Sequence, residues 1–354
     1  MKTKKLFYLG AFALAIMSAS CKKNDPPAPA ATTYDNGVFI VNQGNFGTGS
    51  GTVSFYNRTN GNVSNDIFQT KNSYPLGNVA QSMEVFNGKG YIVVNNAGKV
   101  ETVDAITFAS GGAITGLTNP RYFLGIDNNK GYISEWGSGS TGDIKVIDLN
   151  TKAITATIPT GKGTEGMVKV GTTVYAACSG GFGSDSLVTV INTTTNAVIT
   201  SINVGANPTS IKVDANGKIW VLCSGQFDQT FTTLVKTGSL VRINPTTNTV
   251  ELSLPFASTT SQPANLVTNN AKTLLYYAYN GKVYLQSSSA STLSTVALIN
   301  RNFYGLGIDP TNDYFYGADA GNFSSNGKVI RYNASGVVVD SFAVGVIPGY
   351  FCFK

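Results

Sequence analysis

Hydrophobic residues along most of this chain recur with a period of two, in short runs separated by polar turns. Two stretches show it best: DIKVIDLNTKAITATIPTGKG from Asp143 and LVTVINTTTNAVITSINVGANP from Leu187. Each reads as an alternating run, a turn rich in Asn and Thr, a second alternating run, and a glycine. Alternation puts successive side chains on opposite faces of a strand, and Asn or Asp closes the turn by bonding the backbone two residues on. SLVRINPTTNTVELSLPF from Ser239 and KVIRYNASGVVVDSFAVG from Lys328 repeat the pattern. A second hairpin precedes each of these, as in RYFLGIDNNKGYISEWG (121–137), TSIKVDANGKIWVLCSG (209–225) and YGLGIDPTNDYFYGADAG (304–321). The repeating unit therefore has four strands, a to d.

The start of strand a falls at Asn78, Pro120, Glu165, Pro208, Pro263, Phe303 and Pro348, at intervals of 42, 45, 43, 55, 40 and 45 residues. A four-stranded antiparallel unit at this period predicts a β-propeller blade. The ends predict how the ring closes. The first segment supplies only GVFIVN (37–42), GTVSFYN (51–57) and NVSNDIF (62–68), while the chain finishes on Tyr350-Phe351-Cys352-Phe353, a strand with no successor. The expected fold is an all-β, seven-bladed propeller in which the C-terminal strand becomes strand a of the first blade, hiding edges that an open repeat would expose.

Residues 1–21, MKTKKLFYLGAFALAIMSASC, break this pattern. Three lysines precede an apolar run from Leu6 to Met17, then Ser18-Ala19-Ser20 and Cys21. These are the features of a secretory signal, and the apolar run is short for a spanning helix. Cysteine directly after small residues resembles the lipobox of bacterial lipoproteins, which implies that Cys21 becomes the diacylated mature N-terminus. The expected organisation is a signal peptide over 1–20, a lipidated cysteine with a tether over 21–34, and the propeller over 35–354. Cys178 and Cys223 occupy equivalent repeat positions whose strands diverge between neighbouring blades, so with Cys352 they are expected to be buried free thiols.

Composition narrows the chemistry. The chain of 354 residues is 42% hydrophobic and 12% charged, and it contains no histidine. Catalysis by a Ser-His-Asp or Cys-His arrangement, and His-ligated metal or haem, are excluded because each needs an imidazole. Without the three leader lysines the net charge falls from +6 to +3. No basic cluster interleaves with aromatics, so no nucleic-acid partner is expected. Neither a metal nor another cofactor is implied, and no fixed-spacing calcium loop appears.

The stretch from Asp143 to Cys223 resembles the YVTN-type β-propeller repeat, in VIDLNTKAITATIPTG and VGANPTSIKVDANGKIWVLCSG. With the leader, the chain is similar to Bacteroidetes surface propeller lipoproteins. That resemblance implies outer-membrane attachment, on the cell surface or else in the periplasm. One branch of these proteins binds corrinoids beside a TonB-dependent transporter, which makes a corrinoid ligand and a transporter partner expectations of the resemblance alone.

Turn lengths place the site. The a–b and c–d turns are tight, whereas several b–c connections are long and lie on the opposite face. The long connections carry Phe46, Trp136, Phe182, Phe227 and Phe323 at nearly one repeat position. Such rings would either pack over their own blades or form a rim around one opening. The rim reading predicts a small-molecule site of flat apolar faces with polar groups between them. On the same face, Arg121, Tyr304 and Tyr350 are expected to join it. The expected role is capture of a small ligand rather than catalysis. The alternatives are a scaffold for proteins or matrix, and a propeller lactonase or lyase.

Overall fold

The computed structural model describes residues 33–354, so the leader and Cys21 lie outside the described residues. Seven four-stranded antiparallel sheets are arranged as seven blades. Strand a, on the axis, is Ala80–Phe86 in blade 2, Pro120–Asp127 in blade 3, Thr164–Val170 in blade 4 and Pro208–Val213 in blade 5. Blades 6 and 7 begin with Ala264–Thr268 and Gly305–Ile308. Blade 1 takes its strand a from the chain's end: Pro348–Phe353 pairs with Gly37–Asn42, placing Val38 opposite Phe353 and Ile40 opposite Phe351. The closure expected from the sequence is therefore present.

Alternation explains where the core sits. The two faces of each blade pack against its two neighbours, and the buried side chains form seven apolar clusters, one at each interface between blades. Phe39, Phe55, Met83 and Ile92 fill the interface of blades 1 and 2. Val38, Ile40, Tyr316 and Val329 fill that of blades 7 and 1. The junction is also locked by charge. The Arg58 guanidinium grips Asp309 of blade 7 through Nε at 2.6 Å and Nη2 at 3.1 Å, and donates to the Lys354 carbonyl at 2.5 Å. A bidentate Arg–carboxylate pair of this kind fixes geometry as well as adding energy.

Blade 1 departs from expectation in its third segment. NVSNDIF was expected to be a strand, but only Val63–Ser64 pairs, and Ile67–Asn72 forms a short helix. In a strand, adjacent Ile67 and Phe68 would face opposite sides. The helical turn buries both in the first interface, at 1% and 0% exposure.

The chain returns from the outer edge of one blade to the axis of the next through a sharp turn. In five blades a residue with positive φ immediately precedes strand a: Val79, Asn119, Gly163, Asn207 and Ile347, between 52° and 60°. Asparagine tolerates this region, whereas β-branched Val79 and Ile347 hold it at a cost of about 1–3 kcal/mol each. At Gly163 the reason for glycine is also spatial, because a Cβ there would lie 1.8 Å from the Gly181 nitrogen. Asn207 uses its carboxamide to accept from Ser184 at 2.6 Å and donate to the Gly225 carbonyl at 2.9 Å. That ties the long loops of blades 4 and 5 together. Among the described residues, no helix is long and apolar enough to cross a membrane.

Candidate functional site in the axial funnel

Seven inner strands enclose a cavity of about 1160 Å³ on the propeller axis. It runs from the long-loop face, where Gln43, Gln262 and Phe323 border it, down to the level of Lys169 and Thr268. The long loops are thus on the face that the turn lengths indicated.

The mouth of this funnel carries a connected polar cluster. Gln81, Arg121 and Glu165 each stand second in the inner strands of blades 2, 3 and 4, so they line up side by side. Arg121 donates from Nε to Glu165 Oε2 at 3.2 Å and from Nη1 to Gln81 Oε1 at 2.7 Å. Its guanidinium lies 4.3 Å from the ring centroid of Trp136, in cation–π contact. The Trp136 indole N–H donates to Glu165 Oε1 at 2.9 Å. Burial works against the Arg121 charge, but the facing Glu165 carboxylate together with the nearby Tyr122 and Tyr304 phenols more than offsets it, so the pKa lies above the usual arginine value. Each long polar group here has a partner, which is how a charge persists in a largely dry setting.

Below the mouth stand two tyrosines. Burial, with the Glu165 charge nearby, pushes the Tyr122 phenol up to about 12. Burial, with the Glu84 charge nearby, also raises the Tyr350 phenol well above its ordinary value. Their rings lie 6.0 Å apart, tilted. Both phenols therefore stay neutral at physiological pH and offer O–H donors to the cavity. Across the opening, the Tyr304 hydroxyl donates to Gln43 at 2.9 Å, and its ring meets Phe323 edge-on at 5.4 Å.

Four of the eight residues predicted for the site border the funnel: Arg121, Tyr304, Phe323 and Tyr350. Trp136 stands behind Arg121 and Glu165 and holds them. Phe182 packs edge-on against Trp136 at 5.3 Å and remains 70% exposed, while Phe46 is 76% exposed. Phe227 lies in a small hairpin, Gln226–Phe227 paired with Leu234–Lys236, that decorates the long loop of blade 5. The five aromatics thus share a repeat position without forming one continuous ring. Gln81, Tyr122, Glu84 and Lys212 also line the funnel and went unnoticed in the sequence. The available signal was a polar or charged residue in mid-strand at the axis, as in SMEVF and SIKVD.

Among the described residues, no group of three or more His, Cys, Asp or Glu side chains is placed to hold a metal ion. The carboxylates near the mouth are used in pairs instead: Asp319 with Arg301 at 2.6 Å, and Glu135 with Lys145 at 3.5 Å. Burial still pushes the Glu135 carboxyl up to about 7, although the Thr118 N–H and Lys145 oppose it. Cys178, Cys223 and Cys352 are free and buried, and burial raises the first two thiols to about 11 and about 12.

The architecture is that of a seven-bladed β-propeller with an axial funnel. The chain belongs to the family described as "Domain of unknown function (DUF5074)", which it matches over residues 36–345. No curated protein matches it. Among solved structures it is similar to a quinonprotein alcohol dehydrogenase-like protein from Bacteroides thetaiotaomicron, at 16% identity and a TM-score of 0.67, covering 91% of this chain and 79% of that one. It is also similar to the periplasmic gluconolactonase of Pseudomonas aeruginosa, at 10% identity and a TM-score of 0.63, covering 89% and 98%. The hydrazine synthase of Kuenenia stuttgartiensis matches at 16% identity and a TM-score of 0.64, covering 77% and 89%.

At these identities the likeness shows the fold alone. It nevertheless corrects one expectation. Binding in place of catalysis was inferred from the absent histidines and motifs, yet propellers named for enzymatic activities stand among the structural neighbours. The missing imidazole removes particular mechanisms and leaves catalysis on this fold open.

Proposed function

We propose that this protein captures a small polar molecule in the axial funnel, entering from the long-loop face. The observation that carries the reading is the cavity of about 1160 Å³, whose lining includes phenols, carboxamides and a guanidinium fixed by Glu165 and Gln81. Small-molecule sites are concave and combine apolar walls with a few oriented polar groups, in volumes of roughly 300–1,000 Å³. Arg121 retains N–H groups beyond those given to Glu165 and Gln81, and the two tyrosines present further donors. A ligand with acceptor atoms is therefore favoured.

The leader supports attachment through Cys21, with the propeller held by its tether at the outer membrane. Resemblance to surface propeller lipoproteins supports a TonB-dependent transporter as the recipient of the cargo, and a corrinoid as one candidate for it. The test is native mass spectrometry of the full-length protein, purified in detergent from its own membranes. The expected result is a bound small molecule that disappears when the funnel is obstructed by Thr209→Trp. No adduct, or one that persists in the obstructed variant, contradicts the reading.

A further inference from the structure

Midway down the funnel stand two opposite charges that do not meet. Glu84 is the fifth residue of strand a in blade 2, and Lys212 is the fifth of strand a in blade 5. Met83 and Ile211, the residues before them, pair with Ile92 and Val221, each two residues short of the end of strand b. The two positions are therefore equivalent and lie at one height. Blades 2 and 5 are three apart in a ring of seven, as far across the axis as this symmetry permits.

The same level in blades 3, 4 and 6 is held by Leu124, Val168 and Val267, which also border the cavity. Carboxylate and ammonium thus face each other in an otherwise weakly polar belt. Each feels the other's charge, but neither makes a hydrogen bond or close ion pair among the described residues. Burial raises the Glu84 carboxyl and lowers the Lys212 amine, with the opposite charge only partly restoring each.

Several other charged groups on the wall are already engaged. Arg121 and Glu165 hold one another, Asp319 holds Arg301, and Lys169 donates to the Ile126 carbonyl at 2.8 Å. Charges withdrawn from bulk water are costly unless paired. Glu84 and Lys212 carry that cost across a gap open to solute.

We propose that Glu84 and Lys212 form the two poles of a recognition site for a small zwitterion, whose ammonium meets Glu84 and whose carboxylate meets Lys212. This rests on the funnel being the binding site and names the class of molecule it takes. A zwitterion of the right length closes both gaps at once and brings no net charge into the belt. A simple anion or cation would satisfy one pole and leave the other uncompensated.

Calorimetric titration of the full-length protein in detergent tests this with glycine, β-alanine, 4-aminobutanoate, 6-aminohexanoate and alanyl-alanine. At least one should bind, with affinity peaking at one separation of the charges. Its N-acetyl and carboxamide forms should bind at least tenfold more weakly to the unaltered protein. Glu84→Gln and Lys212→Met should each lose at least tenfold, with folding checked by thermal melting. If either variant fails to fold, the blocked compounds on the unaltered chain still decide. Absence of binding across the series, or equal binding of the blocked forms, overturns the assignment. A funnel-bound molecule lacking one of the charges would overturn it too, while leaving the funnel itself as the site.

Discussion

The mouth of the funnel and its middle handle buried charge in opposite ways. At the mouth, Arg121 is held by Glu165, Gln81 and the face of Trp136, and the indole N–H returns to the same carboxylate. In the middle, Glu84 and Lys212 lie on the same cavity with no bonded partner. A satisfied network shapes a wall, because breaking it exposes a buried charge. An unsatisfied pair stabilises little and remains available to a solute. The difference separates residues that build the funnel from residues that would read what enters it.

The largest effect should come from breaking the mouth. Glu165→Ala leaves Arg121 without its carboxylate and Trp136 without its acceptor, and should cost about 3–5 kcal/mol in chemical denaturation, as for a buried pair that loses one member. A loss below about 1 kcal/mol would mean that the cluster is not structural.

A smaller effect should appear in the pH dependence, through Glu135 beneath the same loops. Its folded carboxyl titrates near 7, above the unfolded value of about 4.5. Over that window the folded state holds a proton that the unfolded state has lost, so stability falls as pH rises from about 4.5 to about 7. Allowing for solvent screening, the drop attributable to this group should be on the order of 1–2 kcal/mol. Melting at pH 5 and pH 7.5 should show it, and Glu135→Gln should flatten it.

The middle of the funnel should respond in the other direction. The double variant Glu84→Gln, Lys212→Met should lose no stability and gain up to about 1 kcal/mol, since replacing separated buried charges is often neutral or favourable. A clear destabilisation would make the pair architectural and erase the contrast with the mouth. Smallest of all, Phe46→Ala and Phe182→Ala should each change stability by about 0.5 kcal/mol or less, because both rings are mostly exposed.

The sequence carried the fold further than it carried the site. A repeat shows itself because every blade solves the same packing problem with the same alternation, and an unpartnered last strand has one economical place to go. Blade 1 escaped that logic at Ile67 and Phe68, where a helical turn buries two adjacent apolar residues that a strand would separate. Equivalent positions also proved poor guides to equivalent roles. Trp136 finds a carboxylate and a guanidinium on its neighbours, whereas Phe46 meets solvent. Glu84 and Lys212 looked like ordinary polar positions of their strands. Their meaning depends on register across blades that are far apart in sequence.

The most direct test is a crystal structure of the protein purified from its own organism, at a resolution that separates ligand from solvent. The predicted result is a small molecule on the axis, within hydrogen-bonding reach of Arg121 or the Tyr122 and Tyr350 phenols and extending to the level of Glu84 and Lys212. A funnel filled only with water, with a bound molecule lying instead on the outer loops around Phe46 and Phe182, would contradict the axial site.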